Sequence, residues 1–223
     1  MCGRFASNTP PWQLQQWYDA LSYPDTAPRY NIAPGTMIAV VRDSPDGRAG
    51  SLMRWGFIPA WARDPSSMPM LNNARGETVA EKPMFRQAFR RRRCLIPASG
   101  FYEWKAVPGQ RTKQPFFISF SDGTPMSFAG IWETSRKADG TSIDTCTILT
   151  TEANAVLAPI HHRMPVLVDR ADWATWLAAE PVPDAELLQL VKPFDPARLQ
   201  AWGVAHAVNK VVNDDPSLLQ PIA

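Results

Sequence analysis

The sequence predicts an α+β fold: a curved, mostly antiparallel, barrel-like sheet core flanked by short helices. Three observations lead there. Residues 94–104, 115–120, 126–132 and 143–150 read as four strands, with Gly109 and the pairs Asp122-Gly123 and Asp139-Gly140 marking the turns between them. Helical periodicity is confined to short segments. The 22 prolines in 223 residues favour many stiff, short connections over long helices.

In chain order, Asn8-Thr9-Pro10-Pro11 is a helix start signal, and an amphipathic helix is expected over 12–21. Arg29-Tyr30-Asn31-Ile32-Ala33-Pro34-Gly35 reads as a loop; a strand at 37–42, a turn at 43–50 and a second strand over 51–56 follow. No period holds over 58–73, which carries Trp61, three prolines and two asparagines. An aperiodic stretch of that length inside a compact domain is more often functional than idle. A helix is expected over 78–92, with Pro83 near its first turn. After the four strands come a short helix at 152–157, a strand at 166–168, helices at 170–179 and 184–191, and a closing strand at 202–208. Residues 209–223 read as a structured tail with no chemistry assigned. No repeat, low-complexity tract or linker interrupts the chain, so one domain over 1–223 is expected.

Composition excludes several classes. No apolar run approaches the ~20 residues of a membrane span, and the start lacks the charged-then-apolar pattern of a leader. A cytoplasmic protein is expected, nucleoid-associated in a prokaryote. Three cysteines (Cys2, Cys94, Cys146) have no paired spacing, which argues against a disulfide framework or a zinc site and for a reducing compartment. No metal or cofactor is called for, and nothing demands more than a monomer. The net charge of +2 does not by itself announce a polyanion. Lys82, Arg86 and the run Arg90-Arg91-Arg92-Arg93 nevertheless concentrate positive charge, either as a solvated helix face or as a phosphate-tracking patch.

The residue that bears most on chemistry is Cys2, in Met1-Cys2-Gly3-Arg4-Phe5. Cys2 and Gly3 are small, so removal of Met1 is expected and leaves an α-amine two bonds from a thiol. Such a pair captures an aldehyde twice, first as a Schiff base and then as a five-membered thiazolidine, the second step being intramolecular. Reference pKa values of ~8 and ~8.5 leave part of each group nucleophilic near neutrality. A chance cysteine on a frayed terminus is the alternative. Three further clusters stand out. Asn72-Asn73-Ala74-Arg75-Gly76-Glu77-Thr78 offers a planar fork in Arg75 and a donor–acceptor pair in Asn73, or else merely caps a helix. In Gly100-Phe101-Tyr102-Glu103-Trp104-Lys105 a carboxylate among aromatics is partly desolvated and suited to moving protons, or is an edge-strand Glu paired with Lys105. In His161-His162-Arg163-Met164-Pro165 the two rings should face opposite ways on an extended segment; an acid–base His beside a phosphate-binding Arg is more plausible than a metal pair.

Taken together, Met-Cys-Gly-Arg-Phe, Arg-Tyr-Asn-Ile-Ala-Pro-Gly, Arg-Trp-Gly-Phe-Ile-Pro, Asn-Ala-Arg-x-Glu-Thr, Gly-Phe-Tyr-Glu-Trp, His-His-Arg-Met-Pro and the final Val-Asn…Leu-Gln-Pro-Ile resemble the SRAP family of SOS response-associated peptidase-like, abasic-site-processing proteins. The motifs run from Cys2 to Ile222 in the family's order. The resemblance implies the SRAP fold and covalent capture of abasic sites in single-stranded DNA, with single-strand/double-strand junctions as a further partner geometry. It implies Cys2 as nucleophile, Glu103 as proton-transfer carboxylate, His161 as the acid that opens or recloses the sugar, and Asn73 as its holder. It also implies Arg4, Arg75 and Arg163 on flanking phosphates, with Trp61 and Pro34 as apolar contacts to splayed bases. Some relatives carry a second Trp after the one matching Trp61; here it is Ala62, which puts a double wedge in doubt. The run Arg90 to Arg93 is not explained by the family.

Two other readings differ in class. An amino-terminal-nucleophile cysteine peptidase, or an autopeptidase that removes Met1, would use Cys2, Glu103 and His161 for acyl transfer with Asn73 as oxyanion donor. It leaves the three arginines without a task. A non-covalent single-strand binder would hold intact and abasic strands equally.

Overall fold

The computed structural model describes residues 2–62, 68–136 and 140–222. The elements are β1 (Phe5–Ser7), α1 (Pro11–Trp17), β2 (Arg29–Ile32), β3 (Met37–Ser44), β4 (Gly47–Trp55), β5 (Asn73–Arg75), α2 (Arg86–Arg91), β6 (Arg93–Ala98), β7 (Gly100–Lys105), β8 (Gln114–Phe120), β9 (Met126–Arg136), β10 (Ser142–Glu152), β11 (Arg163–Pro165), α3 (Trp173–Leu177), α4 (Asp184–Gln189) and β12 (Leu199–Gly203). Short 3-10 turns lie between them.

Five strands close on themselves: β10 pairs β4, β4 pairs β3, β3 pairs β6, β6 pairs β9 and β9 pairs β10. Only the β4–β10 pairing in this ring is parallel. β11 and β5 attach to β10 outside the ring. A second sheet, in the order β12-β8-β7-β1-β2, is antiparallel throughout. The expected α+β architecture with a barrel-like core is the one observed.

The alternation of side chains along the strands sorts the core into layers. Val40, Met53, Trp55, Ile96, Phe128 and Ile148 fill the barrel and meet Phe5, Phe101 and Ile118 of the second sheet. The barrel's outer face, with Val41, Leu95 and Ile131, is covered by Leu14, Phe89, Trp176 and Leu187 of the helices. On the far side of the second sheet, Tyr102 and Phe117 are covered by Val204, Val208 and Leu218 of the carboxy-terminal tail. β6 is buried at every position, as a strand covered on both faces must be.

Several elements differ from the sequence reading, each for a local reason. The single strand expected over 94–104 is two strands in two different sheets, broken at Ser99. Gly100 permits that crossing: a Cβ there would stand 2.4 Å from the Ile118 carbonyl oxygen and 2.4 Å from the Phe117 ring. The helix expected over 78–92 is only a 3-10 turn at Gly76–Thr78 and α2; Pro83 disfavours helical backbone at Lys82 and supplies no donor. The stretch 29–35 holds β2, and the turn expected over 43–50 is only Pro45-Asp46, with Gly47 at φ +125°. No helix forms at 152–157: β10 runs to Glu152, and the Asn154 side chain then takes the N–H groups of Val156 and Leu157. The strands expected at 166–168 and 202–208 lie earlier, as β11 and β12; β1 and β5, of three residues each, are too short to show a period in the sequence. Asp139 of the expected Asp139-Gly140 turn and part of the 58–73 loop fall outside the described residues, while Gly140 has the positive φ, +82°, that a turn glycine takes. Among the described residues no helix is long and apolar enough to cross a membrane.

Candidate active site and nucleic-acid interface

Cys2 lies three residues before β1 and is fully buried at the edge of the core shared by the barrel and the second sheet. It is not a frayed terminus. The Asn73 amide, at the start of β5, donates to the Cys2 carbonyl at 2.9 Å. The other end of that amide, Asn73 Oδ1, is buried with no hydrogen-bond partner among the described residues, an acceptor held out of water. Burial pushes the Cys2 thiol far above the ordinary cysteine range, and the charge of Glu103 pushes it the same way. A thiol in this setting stays protonated until a base takes its proton.

Glu103 sits on β7, a strand flanked by β1 and β8, so the edge-strand alternative for it fails. It shares a face of β7 with Phe101, which points into the core. Burial is the main reason its carboxyl is raised above the ordinary range, partly offset by nearby positive charge that includes Lys113. His161 Nδ1 stands 3.9 Å from Glu103 Oε1. The Arg163 backbone N–H donates to His161 Nδ1 at 3.0 Å. The Arg163 carbonyl also lies 3.2 Å from Nδ1, so the backbone of Arg163 holds the ring in place from both its N–H and its carbonyl. His161 is lowered, first by burial, so the neutral ring prevails near pH 7. The two histidine rings do not face opposite ways: they stack at 4.4 Å between centroids, because the chain at 161–162 turns rather than extends.

The three arginines are placed differently. Arg4 donates to Asn31 Oδ1 at 2.8 Å and to the Val208 carbonyl at 2.9 Å. Asn31 is buried and in turn donates to the carbonyls of Val208, Lys210 and Asn213, so the tail supports Arg4. Arg75 is exposed on β5. Arg163, on β11, holds Glu77 through both arms, at 2.6 and 2.8 Å, and the Thr150 carbonyl at 2.7 Å. Trp61 is 62% exposed, and Pro34 is half-buried in the turn before Gly35. The geometry therefore brings Cys2, Asn73, Glu103 and His161 together and sets Arg163 beside His161. Neither Glu77 nor Asn31 stands out in the sequence by itself. Their signal was charge and amide chemistry inside motifs already noted, but a partner 86 or 177 residues away is not visible in one dimension. A cleft of about 650 Å³ lined by Asn8, Gln13, Trp17 and Arg170, among others, shares none of these residues.

The basic run resolves into structural pairs. Arg90 grips Asp184 with both Nε and Nη2, Arg92 meets Glu133 at 2.6 Å, and Arg93 is buried. Arg93 donates to the carbonyls of Phe89 and Arg90 at the end of α2 and of Trp176 and Ala178 at the end of α3.

Fold and site together define an α+β barrel protein with a buried cysteine at the seam of two sheets, beside a buried carboxyl and an imidazole 3.9 Å apart. The chain belongs to the family described as SOS response associated peptidase (SRAP), whose profile it matches over residues 1–211. It is 35% identical over 224 residues to the abasic site processing protein YoqW of Bacillus subtilis (strain 168), covering 99% of each chain. It is 32% identical to the abasic site processing protein YedK of Escherichia coli (strain K12), covering 100% of each. A crystal structure of a protein from Bacteroides thetaiotaomicron superposes on the whole chain with a TM-score of 0.89 at 26% identity, covering 100% of both.

Proposed function

We propose that this protein processes abasic sites in single-stranded DNA by capturing the ring-opened sugar on Cys2, once Met1 has been removed, as a thiazolidine crosslink. The Cys2 amine adds to the C1′ aldehyde, and loss of water gives the imine. The thiol sulfur then adds to the imine carbon while its proton passes to the nitrogen, closing the ring with no net change in protons. Burial opposes a free thiolate, so this proton must move as the C–S bond forms, and Glu103 is the group to carry it. His161, neutral near pH 7, serves as acid or base at the sugar ring oxygen. Asn73 holds the Cys2 carbonyl and keeps an acceptor for a sugar hydroxyl. Arg4, Arg75 and Arg163 take phosphates, and Trp61 and Pro34 contact bases. The observation that carries the reading is the convergence on Cys2 of Asn73, at 2.9 Å from its carbonyl, and of Glu103, whose charge acts on its thiol.

The test uses an oligonucleotide containing uracil, treated to excise the base, and protein with Met1 removed. The expected result is an adduct that survives denaturation and carries the mass of protein plus DNA less one water, the one lost on forming the imine. Cys2→Ala should give none, and protein retaining Met1 should give none either. An adduct formed by Cys2→Ala at the wild-type rate would sink the aminothiol mechanism. The family's description as a peptidase keeps a second reading in view: peptide turnover abolished by Cys2→Ser, without any DNA adduct, would favour a cysteine peptidase instead.

A further inference from the structure

Thr150 of β10 is paired on one side with Arg75 of β5 and on the other with Pro165 of β11. The turn after β5 carries Glu77 over this strand to Arg163, joining the two flanks. The pair is planar fork on carboxylate, at 2.6 and 2.8 Å, the arrangement a guanidinium also adopts with a phosphate. Its exposure is lopsided: the Arg163 side chain is 13% exposed and that of Glu77 48%. The acid is the member that solvent, or a ligand arriving from solvent, can replace. Arg163 would stay aimed without it, since Nη2 also donates to the Thr150 carbonyl at 2.7 Å. Glu77 is held below the usual carboxylate range, chiefly by its hydrogen bonds with Arg163 and further by the charges of Arg163 and Arg75, so it is ionised at neutral pH.

We propose that Glu77 is an affinity-setting residue: an internal carboxylate that occupies the Arg163 fork in the free protein and gives way to a backbone phosphate when single-stranded DNA seats. This rests on the DNA reading above. Binding then begins from an occupied fork, so the DNA gains one phosphate contact while an existing ion pair is broken. Affinity and its dependence on salt are both lower than three unengaged arginines would give.

The experiment titrates a fluorescent intact single strand, with no abasic site, against the full chain over a series of salt concentrations. Glu77→Gln should bind about 3–10-fold tighter at low salt, with a log–log salt slope steeper by about 0.7, the value for one phosphate on a single strand, because in the wild type the freed Glu77 charge takes up a cation that offsets the one this phosphate releases. Glu77→Ser should show the same sign, and Glu77→Asp, which keeps the charge, should stay near wild type. The gain should vanish in the Glu77→Gln/Arg163→Gln double variant. A Glu77→Gln protein that binds no better, with an unchanged slope, overturns the proposal and leaves Glu77 as a fastener between strands. A gain that survives in the double variant also overturns it, since the effect would then be one of overall charge. Failure of the DNA reading looks different: the wild type itself would show neither salt-sensitive binding nor an abasic adduct.

Discussion

At Glu103, stability and chemistry pull in opposite directions. A carboxyl with 2% exposure is raised mainly by burial, so its ionised form is unfavourable in the folded protein. A folded-state value above the unfolded one means the group's contribution to stability is complete below the ordinary carboxylate range. That contribution is lost as pH rises through the folded value. Glu103→Gln removes the charge while keeping the shape. At neutral pH its melting temperature should exceed that of the wild type by about 2–4 °C, roughly 1 kcal/mol for a chain of this size. The difference should close toward acid pH. Crosslinking on the proposed mechanism should meanwhile slow by about 10²–10⁴. Thermal melts from pH 4 to 8 alongside adduct kinetics check both; a variant that is less stable at pH 7 and crosslinks normally would contradict this account. The sequence foretold the direction of this shift, because aromatics on both sides of Glu103 imply desolvation. It could not foretell that Arg163 is already engaged, since Glu77 is distant in the chain and only the folding of β5 and β11 onto β10 brings the two together.

Among the elements, the basic run is the clearest case of composition misleading. Four consecutive arginines suggest a surface for phosphate, yet here the chain passes from α2 into β6, and three of them secure that passage. Arg93 closes the carbonyl ends of two short helices, α2 and α3, neither long enough to be stable alone. Arg93→Met should cost about 2–4 kcal/mol, because four carbonyls lose a charged donor and some remain buried without one. Arg90→Gln, which breaks only a surface pair with Asp184, should leave stability nearly unchanged. It should leave the salt slope of DNA binding as in the wild type. Denaturant unfolding and salt titration of the two variants test this, and a shallower slope for Arg90→Gln would return the run to the DNA interface. Strand positions were readable wherever polar turns interrupt apolar alternation, as between β8 and β9. They were not readable at Ser99, where two strands of different sheets follow one another with no polar break. Three-residue strands such as β1 and β5 are too short to show any period.

For the whole molecule, the candidate site exists only because two sheets meet. Cys2 and Glu103 come from the side of the second sheet, through the lead into β1 and through β7. Asn73 comes from β5, His161 from the approach to β11 and Arg163 from β11 itself, on the side of the barrel. No local segment contains the constellation, so sequence motifs name the residues while the packing between sheets sets their spacing. That packing is aromatic. Phe5 of β1 and Phe101 of β7 both meet the Phe128 ring of β9 edge-on, at 5.7 and 6.0 Å, and Phe5 also meets Trp55 of β4 at 5.2 Å. Phe128 is fully buried and touches none of the polar site residues through any described hydrogen bond. Phe128→Leu removes both ring contacts and part of the filled volume, at a cost of about 1–3 kcal/mol. Because β1 and β7 lean on that ring, Cys2 and Glu103 should shift relative to Asn73 and His161, and reactions between positioned groups are sensitive to displacements of under 1 Å. Crosslinking by Phe128→Leu should therefore fall about 10-fold or more at a temperature where the variant is still fully folded, with binding to an intact strand nearly unchanged. Adduct kinetics and salt titration on the same preparation separate these two quantities. A variant that melts lower yet crosslinks at the wild-type rate would mean that the spacing of the site is held by the backbone pairing alone and not by the ring contacts across the seam.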